Sequence, residues 1–306
     1  MRYFDLHCDT LYEMYERGCG FYENGLHVSL DKQPFEAYSQ IMAIWTKNIL
    51  SDDEAYGRYN DILKYANEAE LRGVRFCKSS SDYFGGSGKG TRLFLAVEGA
   101  NLLGGDIQRL DKLYSDGVRF LTLVWKGTSC IGGAWDTDEG LSIFGRDVVK
   151  RCSELGLVVD LSHASHKMIS ECFSLSDKYG TKLVATHSNS VSVCAHGRNL
   201  TDDEALEIAR RGGLVGINLC PSHLASGDDC GIFDVCTHIT HFLDIGLSDA
   251  LCIGSDFDGV SRLPEGITGI SDVLKIKEEL VGRGLDENIL NKIFFGNAEN
   301  FVKNNL

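Results

Sequence analysis

The sequence lacks the short motifs that most often reveal a zinc ribbon, a redox pair or a membrane span. Its 306 residues contain 11 cysteines, but no two of them are spaced as Cys-x-x-Cys, and we interpret them mainly as small buried apolar residues. No apolar run approaches the roughly 20 residues that a transmembrane helix needs. Because an apolar signal core is also missing after Met1, we expect a reducing, cytoplasmic location.

Basic residues and prolines are also scarce. There are 30 Lys and Arg residues against 44 Asp and Glu residues, which gives a formal net charge of −14. This charge repels nucleic-acid backbones and anionic membranes at long range, so we expect neither as a partner. The three prolines leave little material for a stiff linker, and we expect residues 1–306 to form one domain.

A phosphate-binding glycine loop is absent as well. Residues 85–90 are rich in glycine, but they lack the Gly-Lys-Ser/Thr ending and precede a predicted strand, so we interpret them as a flexible loop. A doubly wound open sheet, the alternative to a barrel, would need a glycine-rich turn after its first strand. His7, Cys8 and Asp9 stand at that place instead.

Short apolar runs alternate with longer segments of helical periodicity, which predicts an α/β protein. Parallel strands joined by right-handed crossovers close into a barrel when there are eight of them, so we predict a (β/α)8 TIM-type barrel. The predicted strands are 3–9, 40–45, 93–98, 120–125, 157–160, 182–186, 214–218 and 251–254. Three predicted helices end beside glycines, where left-handed caps are expected: 107–116 before Gly117, 146–155 before Gly156, and 202–211 before Gly212.

Residues that commonly bind metals follow several of these runs. Side chains alternate along a strand, so His7 and Asp9 face one way and Cys8 faces the other. The other potential metal ligands that follow apolar runs are Glu98, His163, His187 and Asp256. Like His7 and Asp9, they lie at or just beyond the C-terminal ends of predicted strands. These ends form the rim that carries the chemistry in barrel enzymes.

A hydrolytic two-metal site needs ligands for each ion, a carboxylate that bridges them and an open position for water. Mixed histidine and carboxylate ligands favour zinc, with manganese, iron and cobalt as alternatives. A single histidine at a strand end is usually a structural residue, but a whole set of such residues would be costly to bury together without a cation. We expect Asp5 and Asp160 to support either the ligand residues or the fold, and we expect structural roles for His166, His223, His238 and His241.

Seven short segments that contain these residues or lie between them are distributed over nearly the whole chain. They are DLHCDT at 5–10, VEG at 97–99, GVRFLTL at 117–123, VDLSH at 159–163, HSNS at 187–190, HGRNL at 196–200 and GSDFDG at 254–259. Together they resemble, in the same order, segments of the renal (membrane) dipeptidase family, a family of zinc dipeptidases of the amidohydrolase-like superfamily. The resemblance of all seven is far more specific than that of any one segment.

The resemblance implies an amidohydrolase-like (β/α)8 barrel with a dinuclear zinc site. Matched to the family pattern, His7 and Asp9 would hold one zinc ion. His163 and His187 would hold the second, and Glu98 would bridge the two. The family also suggests a homodimer.

Two further residues receive substrate roles from the resemblance. Arg198 would bind the substrate carboxylate, for which its planar fork is suited, and Asp256 would carry a proton from the attacking water to the leaving amine. The chain departs from the family at Trp125, where well-known animal members have a histidine that is thought to polarise the scissile carbonyl. Trp125 cannot replace that histidine fully, because an indole only donates a single hydrogen bond. We therefore predict that Trp125 binds substrate, without assigning it the role of polarising the carbonyl.

Together these features predict the zinc-dependent hydrolysis of dipeptides by a metal-bridging hydroxide, with a small dipeptide as the partner. A related dinuclear metal hydrolase that acts on another small amide, a β-lactam or a lactone would use the same ions, and Trp125 keeps this alternative open. A metal-binding module without turnover fits less well, because Asp256 would have no role as a proton shuttle there.

Overall fold

The protein is built from short parallel strands that alternate with helices, as the computed structural model describes for residues 1–46, 50–69, 74–85, 90–227 and 229–306. The strands are β1 (Arg2–Cys8), β2 (Ala37–Trp45), β3 (Val74–Phe76), β4 (Gly90–Glu98), β5 (Val118–Thr122), β6 (Val158–Asp160), β7 (Leu183–Val184), β8 (Val215–Ile217) and β9 (Leu251–Ile253). The α-helices are α1 (Thr10–Arg17), α2 (Asp52–Glu68), α3 (Ser80–Phe84), α4 (Ile107–Asp116), α5 (Ile143–Leu155), α6 (His166–Tyr179), α7 (Asp202–Arg210), α8 (Pro221–Leu224), α9 (Ile232–Asp244), α10 (Val273–Gly282), α11 (Glu287–Asn291) and α12 (Asn297–Asn305). Ala100–Leu103 and Ile270–Asp272 form 3₁₀ turns, and Lys292–Gly296 forms a π-helical turn.

Eight of the strands form a nearly closed parallel barrel. Their order is β7-β6-β5-β4-β2-β1-β9-β8, and a parallel bridge between Ala185, just after β7, and Val215 in β8 joins the two ends. Strand β3 lies off this path and pairs with β4. The predicted (β/α)8 TIM-type barrel is therefore confirmed, and the open doubly wound sheet is wrong.

Two apolar cores hold the barrel together. The larger core lies between the strands and the surrounding helices. The smaller core includes inward-facing strand residues such as Phe4, Phe94 and Phe120, together with Phe301 of α12. Helix α12 covers the N-terminal ends of the strands, where Asn297 Nδ2 donates a hydrogen bond of 2.8 Å to the carbonyl oxygen of Leu251. Because one end is filled with apolar side chains, the opposite end is where polar chemistry is available.

The local predictions succeed where periodicity is long and fail where it is short. Gly117 and Gly156 cap α4 and α5 with φ of 114° and 79°, and Gly212 has a φ of 75° one residue after the α7 cap. The predicted strand 120–125 is wrong at its end, because β5 stops at Thr122 and Trp125 lies in the following loop. The three residues of β3 are too few to show a period.

Among the described residues, no helix combines the length and the apolar composition required to cross a membrane. All eleven cysteines are free thiols. The predicted flexible glycine loop cannot be compared with the structure, because its residues 86–89 lie outside the described residues.

Candidate active site

The end of β1 directs two side chains into the open end of the barrel. The register of β1 against β2 shifts between Asp5 and Cys8, a β-bulge of the kind that re-aims side chains beside active sites. Cys8 belongs to the larger core, between the strands and the surrounding helices. Asp9 occupies the N-cap position of α1 but makes no side-chain capping hydrogen bond, and its Oδ2 lies 3.4 Å from His7 Nε2.

Glu98, the last residue of β4, stands between two groups of candidate ligand atoms. The first group belongs to His7 and Asp9, and the second to His163 and His187. Oε2 of Glu98 lies 3.8 Å from His7 Nε2. Its Oε1 lies 2.8 Å from His163 Nε2 and 3.4 Å from His187 Nε2. The two oxygens of one carboxylate therefore face different histidines, which is the arrangement that a bridging ligand requires.

The second group consists of His163 and His187, which follow β6 and β7. Their Nε2 atoms are 2.9 Å apart. Two ligand atoms bound tetrahedrally to one zinc ion are roughly 3.3–3.6 Å apart. The distance from Glu98 Oε1 to His187 Nε2 matches this spacing, whereas the two distances that involve His163 Nε2 are shorter. The predicted ligands, His7 and Asp9 included, thus converge at one rim.

The chemistry of this cluster fits a cation. The His7, Glu98 and His187 ligand atoms, and likewise those of His7, Asp9 and Asp256, lie within 4.8 Å of one another. Asp9 Oδ1 is buried and has no hydrogen-bond partner among the described residues. A buried carboxylate oxygen without a partner is costly. A divalent ion bound beside Asp9 would satisfy this oxygen.

Burial also changes the proton affinity of this cluster. It raises the pKa of both Glu98 and Asp256 to about 7 and that of Asp9 to about 6, with carboxylates that repel one another adding to the effect. Burial lowers the pKa of His7, but the surrounding carboxylates outweigh it and raise that pKa to about 10. Burial, with positive groups nearby, holds the pKa of His163 and His187 well below the usual value. The cluster therefore resists the accumulation of negative charge unless a cation is present.

Backbone strain is concentrated at this rim. His163, Asp256 and Asp258 have positive φ values of 68°, 60° and 66°, a region that non-glycine residues rarely occupy and that often marks a functional site. At Gly259 a Cβ atom would lie 2.1 Å from Asp9 Oδ2 and 2.4 Å from Asp256 Oδ1. Only glycine therefore lets the chain pass so close to both carboxylates.

A hydrogen-bond relay fixes the orientation of His187. Thr186 Oγ1 donates its single hydrogen to Asp160 Oδ2 over 2.6 Å, and the same oxygen lies 2.8 Å from His187 Nδ1. Because the hydroxyl hydrogen is already used, the threonine oxygen must accept from Nδ1–H, which leaves the Nε2 lone pair free to face Glu98. The structural role predicted for Asp160 is consistent with these bonds.

Removal of this relay should weaken metal binding. We expect Thr186→Val to keep the side-chain shape but to lower the affinity for zinc by about 10–100-fold, since His187 loses the partner that orients it. Competition with a chromophoric chelator measures the affinity. Thr181→Val is the matched control, because Thr181 is an equally buried threonine whose hydroxyl donates to the Val149 carbonyl. Equal affinities for the two variants would contradict the relay.

Asp256 lies beside the first group of ligand atoms. Its Oδ1 is 3.8 Å from His7 Nε2, and its Oδ2 accepts a hydrogen bond of 3.0 Å from Asn218 Nδ2. The sequence analysis did not identify Asn218, although its place at the end of the predicted strand 214–218 was a signal. Asn218 positions the carboxylate with one oxygen turned toward the cluster.

Arg198 is buried beside the second group of ligand atoms. Its Nη1 donates to Ser188 Oγ over 2.8 Å and its Nη2 donates to the His187 carbonyl over 2.9 Å. Its Nε is buried without a partner among the described residues. The guanidinium is therefore fixed in place by two bonds and retains donors for a ligand.

A cavity of about 310 Å³ lies over the cluster. Trp125 forms part of its wall and contacts Trp45 edge to face, with ring centroids 5.2 Å apart. Tyr12 extends this aromatic wall, with its ring centroid 4.9 Å from that of Trp45. The lining residues are Asp9, Tyr12, Glu13, Trp45, Glu98, Trp125, Lys126, Trp135, His163, Arg198, Cys220, His223, Asp256, Asp258, Gly259 and Val260.

A model of the membrane dipeptidase family, peptidase family M19, matches residues 1–304 of the chain. An uncharacterised protein in the pqqA 5′ region of Klebsiella pneumoniae is 30% identical over 220 residues, which are 68% of this chain and 80% of that protein. Dipeptidase 3 of Mus musculus is 30% identical over 211 residues, 66% of this chain but only 42% of that longer protein.

The fold is shared with a solved metallopeptidase from Rhodobacter sphaeroides, whose structure contains a phosphinate mimic of the dipeptide L-Ala-D-Ala. The two structures superpose with a TM-score of 0.89 and 25% sequence identity, and the match covers 100% of this chain and 99% of that one. The similarity therefore extends over the whole barrel and includes the rim that carries the cluster.

Proposed function

Because the chain belongs to the membrane dipeptidase family (peptidase family M19), and is therefore a metal-dependent, dipeptide-hydrolysing enzyme, we propose that it hydrolyses dipeptides at two zinc ions. The observation that carries this proposal is the position of Glu98, whose two oxygens face His7 on one side and His163 and His187 on the other. His7 and Asp9 would hold one ion, and His163 and His187 the other.

The protein residues determine where protons and substrate go. When bound, the ions would polarise the scissile carbonyl and lower the pKa of a water molecule to about 7. Asp256, held by Asn218, would accept the proton from that water and return it to the leaving amine. This carboxylate is within reach of the cluster, as general acid–base catalysis requires.

Arg198 would bind the free carboxylate at the C-terminal end of the substrate. Its buried Nε and the unused hydrogens of its fork form a fixed cationic site. This site and the ligand cluster line the same small cavity, so a carboxylate held by Arg198 would allow the substrate only one residue beyond the scissile bond. This limit favours dipeptides over longer peptides.

Trp125 would bind substrate through its face and not through a catalytic hydrogen bond. It packs on Trp45 in the cavity wall, so a substrate side chain can pack against an apolar surface there. The loss of the family histidine is the specific reason to test other small amides, β-lactams and lactones beside dipeptides. The assignment of residues 1–306 to one hydrolase domain, the homodimer and the cytoplasmic location stay predictions.

A panel of L,L and L,D dipeptides tests the proposal directly. The L,D members are included because the Rhodobacter sphaeroides relative binds a mimic of L-Ala-D-Ala. Each substrate is assayed with the purified protein, after removal of metal by a chelator, and again after zinc is restored. We expect turnover that disappears on chelation and returns with zinc.

Two results would contradict this function. Dipeptide turnover that survives complete removal of metal would remove the metal from the mechanism. Zinc-restored protein that hydrolyses a lactone or a β-lactam in the same panel, but no dipeptide, would favour the alternative hydrolase.

A further inference from the structure

His223 lies in the wall of the active-site cavity, which Arg198 also lines, and the charge of Arg198 acts on its imidazole. The sequence predicted a structural role for His223 from its helical or loop context, and the structure places it in the short helix α8. Its backbone does have that role, because its carbonyl accepts a hydrogen bond of 2.8 Å from Asn199 Nδ2. That role leaves the imidazole unexplained.

The imidazole of His223 is held in a fixed orientation. Its ring centroid lies 4.6 Å from that of His196, whose ring in turn packs 5.2 Å from Trp135. The backbone N–H of His223 donates to the Cys220 carbonyl over 3.0 Å. A ring packed in this way is preorganised and loses little freedom when it binds a ligand.

Four residues that line the cavity have a buried side-chain nitrogen with no protein partner among the described residues. They are Trp45, His163, Arg198 and His223. In His223 the atom is Nδ1, and in Arg198 it is Nε. Buried polar atoms are normally satisfied by a partner, and one left without a partner calls for an explanation such as a bound ligand. His223 and Arg198 both line the cavity that would take the substrate.

His223 and Arg198 differ in charge, so they can make different contributions to binding an anion. Burial lowers the pKa of His223 to about 2, and the positive charge of Arg198 acts in the same direction. The imidazole is therefore neutral and offers one N–H donor beside a guanidinium cation. An anion with more than one acceptor atom can accept a hydrogen bond from the imidazole and pair with the guanidinium at the same time.

We propose that His223 is a second anchor for the C-terminal carboxylate of the substrate, donating a ring N–H to that carboxylate while Arg198 supplies the positive charge. This inference rests on the proposed dipeptidase function. A carboxylate has two oxygens that together accept about four hydrogen bonds, so both residues can bind it simultaneously. Since the contact is made before and during the reaction, it should affect KM and not kcat.

The test compares three variants on one dipeptide and on its C-terminal amide, all loaded with zinc. His223→Phe keeps an aromatic ring against His196 but has no donor, and His223→Asn restores a donor near the position of Nδ1. Ser222→Ala is the control, because Ser222 is exposed on the same short helix and does not line the cavity. KM and kcat are measured for the dipeptide, and KM or the inhibition constant for the amide.

We expect His223→Phe to raise KM for the dipeptide by about tenfold or more, because a hydrogen bond to a charged group is lost. The constant for the amide should change by less than about twofold, zinc content and kcat should stay near wild type, and His223→Asn should recover part of the loss. If the phenylalanine variant does not fold, His223→Leu provides the variant without a donor.

The inference is overturned if the variants without a donor keep the wild-type KM, or if the dipeptide and amide constants rise equally. The second result would mean that His223 only shapes the cavity. In both cases the wild type still hydrolyses dipeptides, so the proposed function stands. Zinc-loaded wild-type protein that hydrolyses no dipeptide would overturn the proposed function and this inference together.

Discussion

Asp256→Asn is expected to lower kcat for dipeptide hydrolysis by about 10²–10⁴-fold, with little change in bound zinc. An asparagine side chain has almost the same shape as aspartate but cannot take up a proton at neutral pH. The substitution also keeps the backbone, because Asp256 has a φ of 60° and asparagine tolerates this left-handed conformation. The Asn218 amide can still donate to the remaining oxygen of the new side chain.

The measurement combines steady-state kinetics with metal analysis of the same sample. Asp256→Ala is a poorer variant, because alanine is strained at a positive φ. A lower kcat could then result either from loss of the carboxylate or from movement of the backbone near Gly259. Full turnover by the asparagine variant would remove Asp256 from proton transfer. Loss of zinc in proportion to activity would instead make Asp256 a metal ligand.

Arg198→Met is expected to raise KM for dipeptides by about 100-fold or more, because truncating one partner of a buried charge pair leaves the other charge unpaired. Methionine fills a similar volume but carries no charge and no donor. The effect on kcat should be much smaller, since the substrate carboxylate is bound in the ground state and the transition state alike and takes no part in breaking the peptide bond. The C-terminal amide of the same dipeptide should show almost no change in KM.

Two controls separate this effect from damage to the metal site. Arg198 donates to the His187 carbonyl, so zinc content must be measured in the variant before its kinetics are interpreted. Arg198→Lys retains the charge but loses the planar fork, and its KM should lie between those of wild type and the methionine variant. A fall in kcat at constant KM, with zinc retained, would show that Arg198 acts on the reacting atoms instead.

The convergence of the predicted ligand residues could be foreseen from the sequence because each of them lies near the C-terminal end of a strand. Alternation along a strand predicted that His7 and Asp9 share a face, although Asp9 lies one residue beyond β1, at the N-cap position of α1. Glu98, His163 and His187 follow parallel strands, and the C-terminal ends of such strands meet at one rim. The eight strands were predictable for a similar reason: each one is buried and therefore leaves a short apolar run in the sequence.

Other parts of the site depend on contacts that no sequence period records. Thr186 acts through a hydroxyl whose direction is set by Asp160 on a neighbouring strand. Gly259 is required because two carboxylates from distant segments approach its Cα. His223 reaches the cavity through a short helix after β8, which the apolar pattern does not mark. These features become visible only when the folded chain brings the segments together.

Anomalous diffraction at the zinc edge, from crystals of the zinc-loaded protein, tests the central claim most directly. Two metal peaks roughly 3.5–4 Å apart are predicted, one near His7 and Asp9 and the other near His163 and His187. One oxygen of Glu98 should be bonded to each. A single peak, or two peaks with Glu98 bonded to neither, would contradict the account.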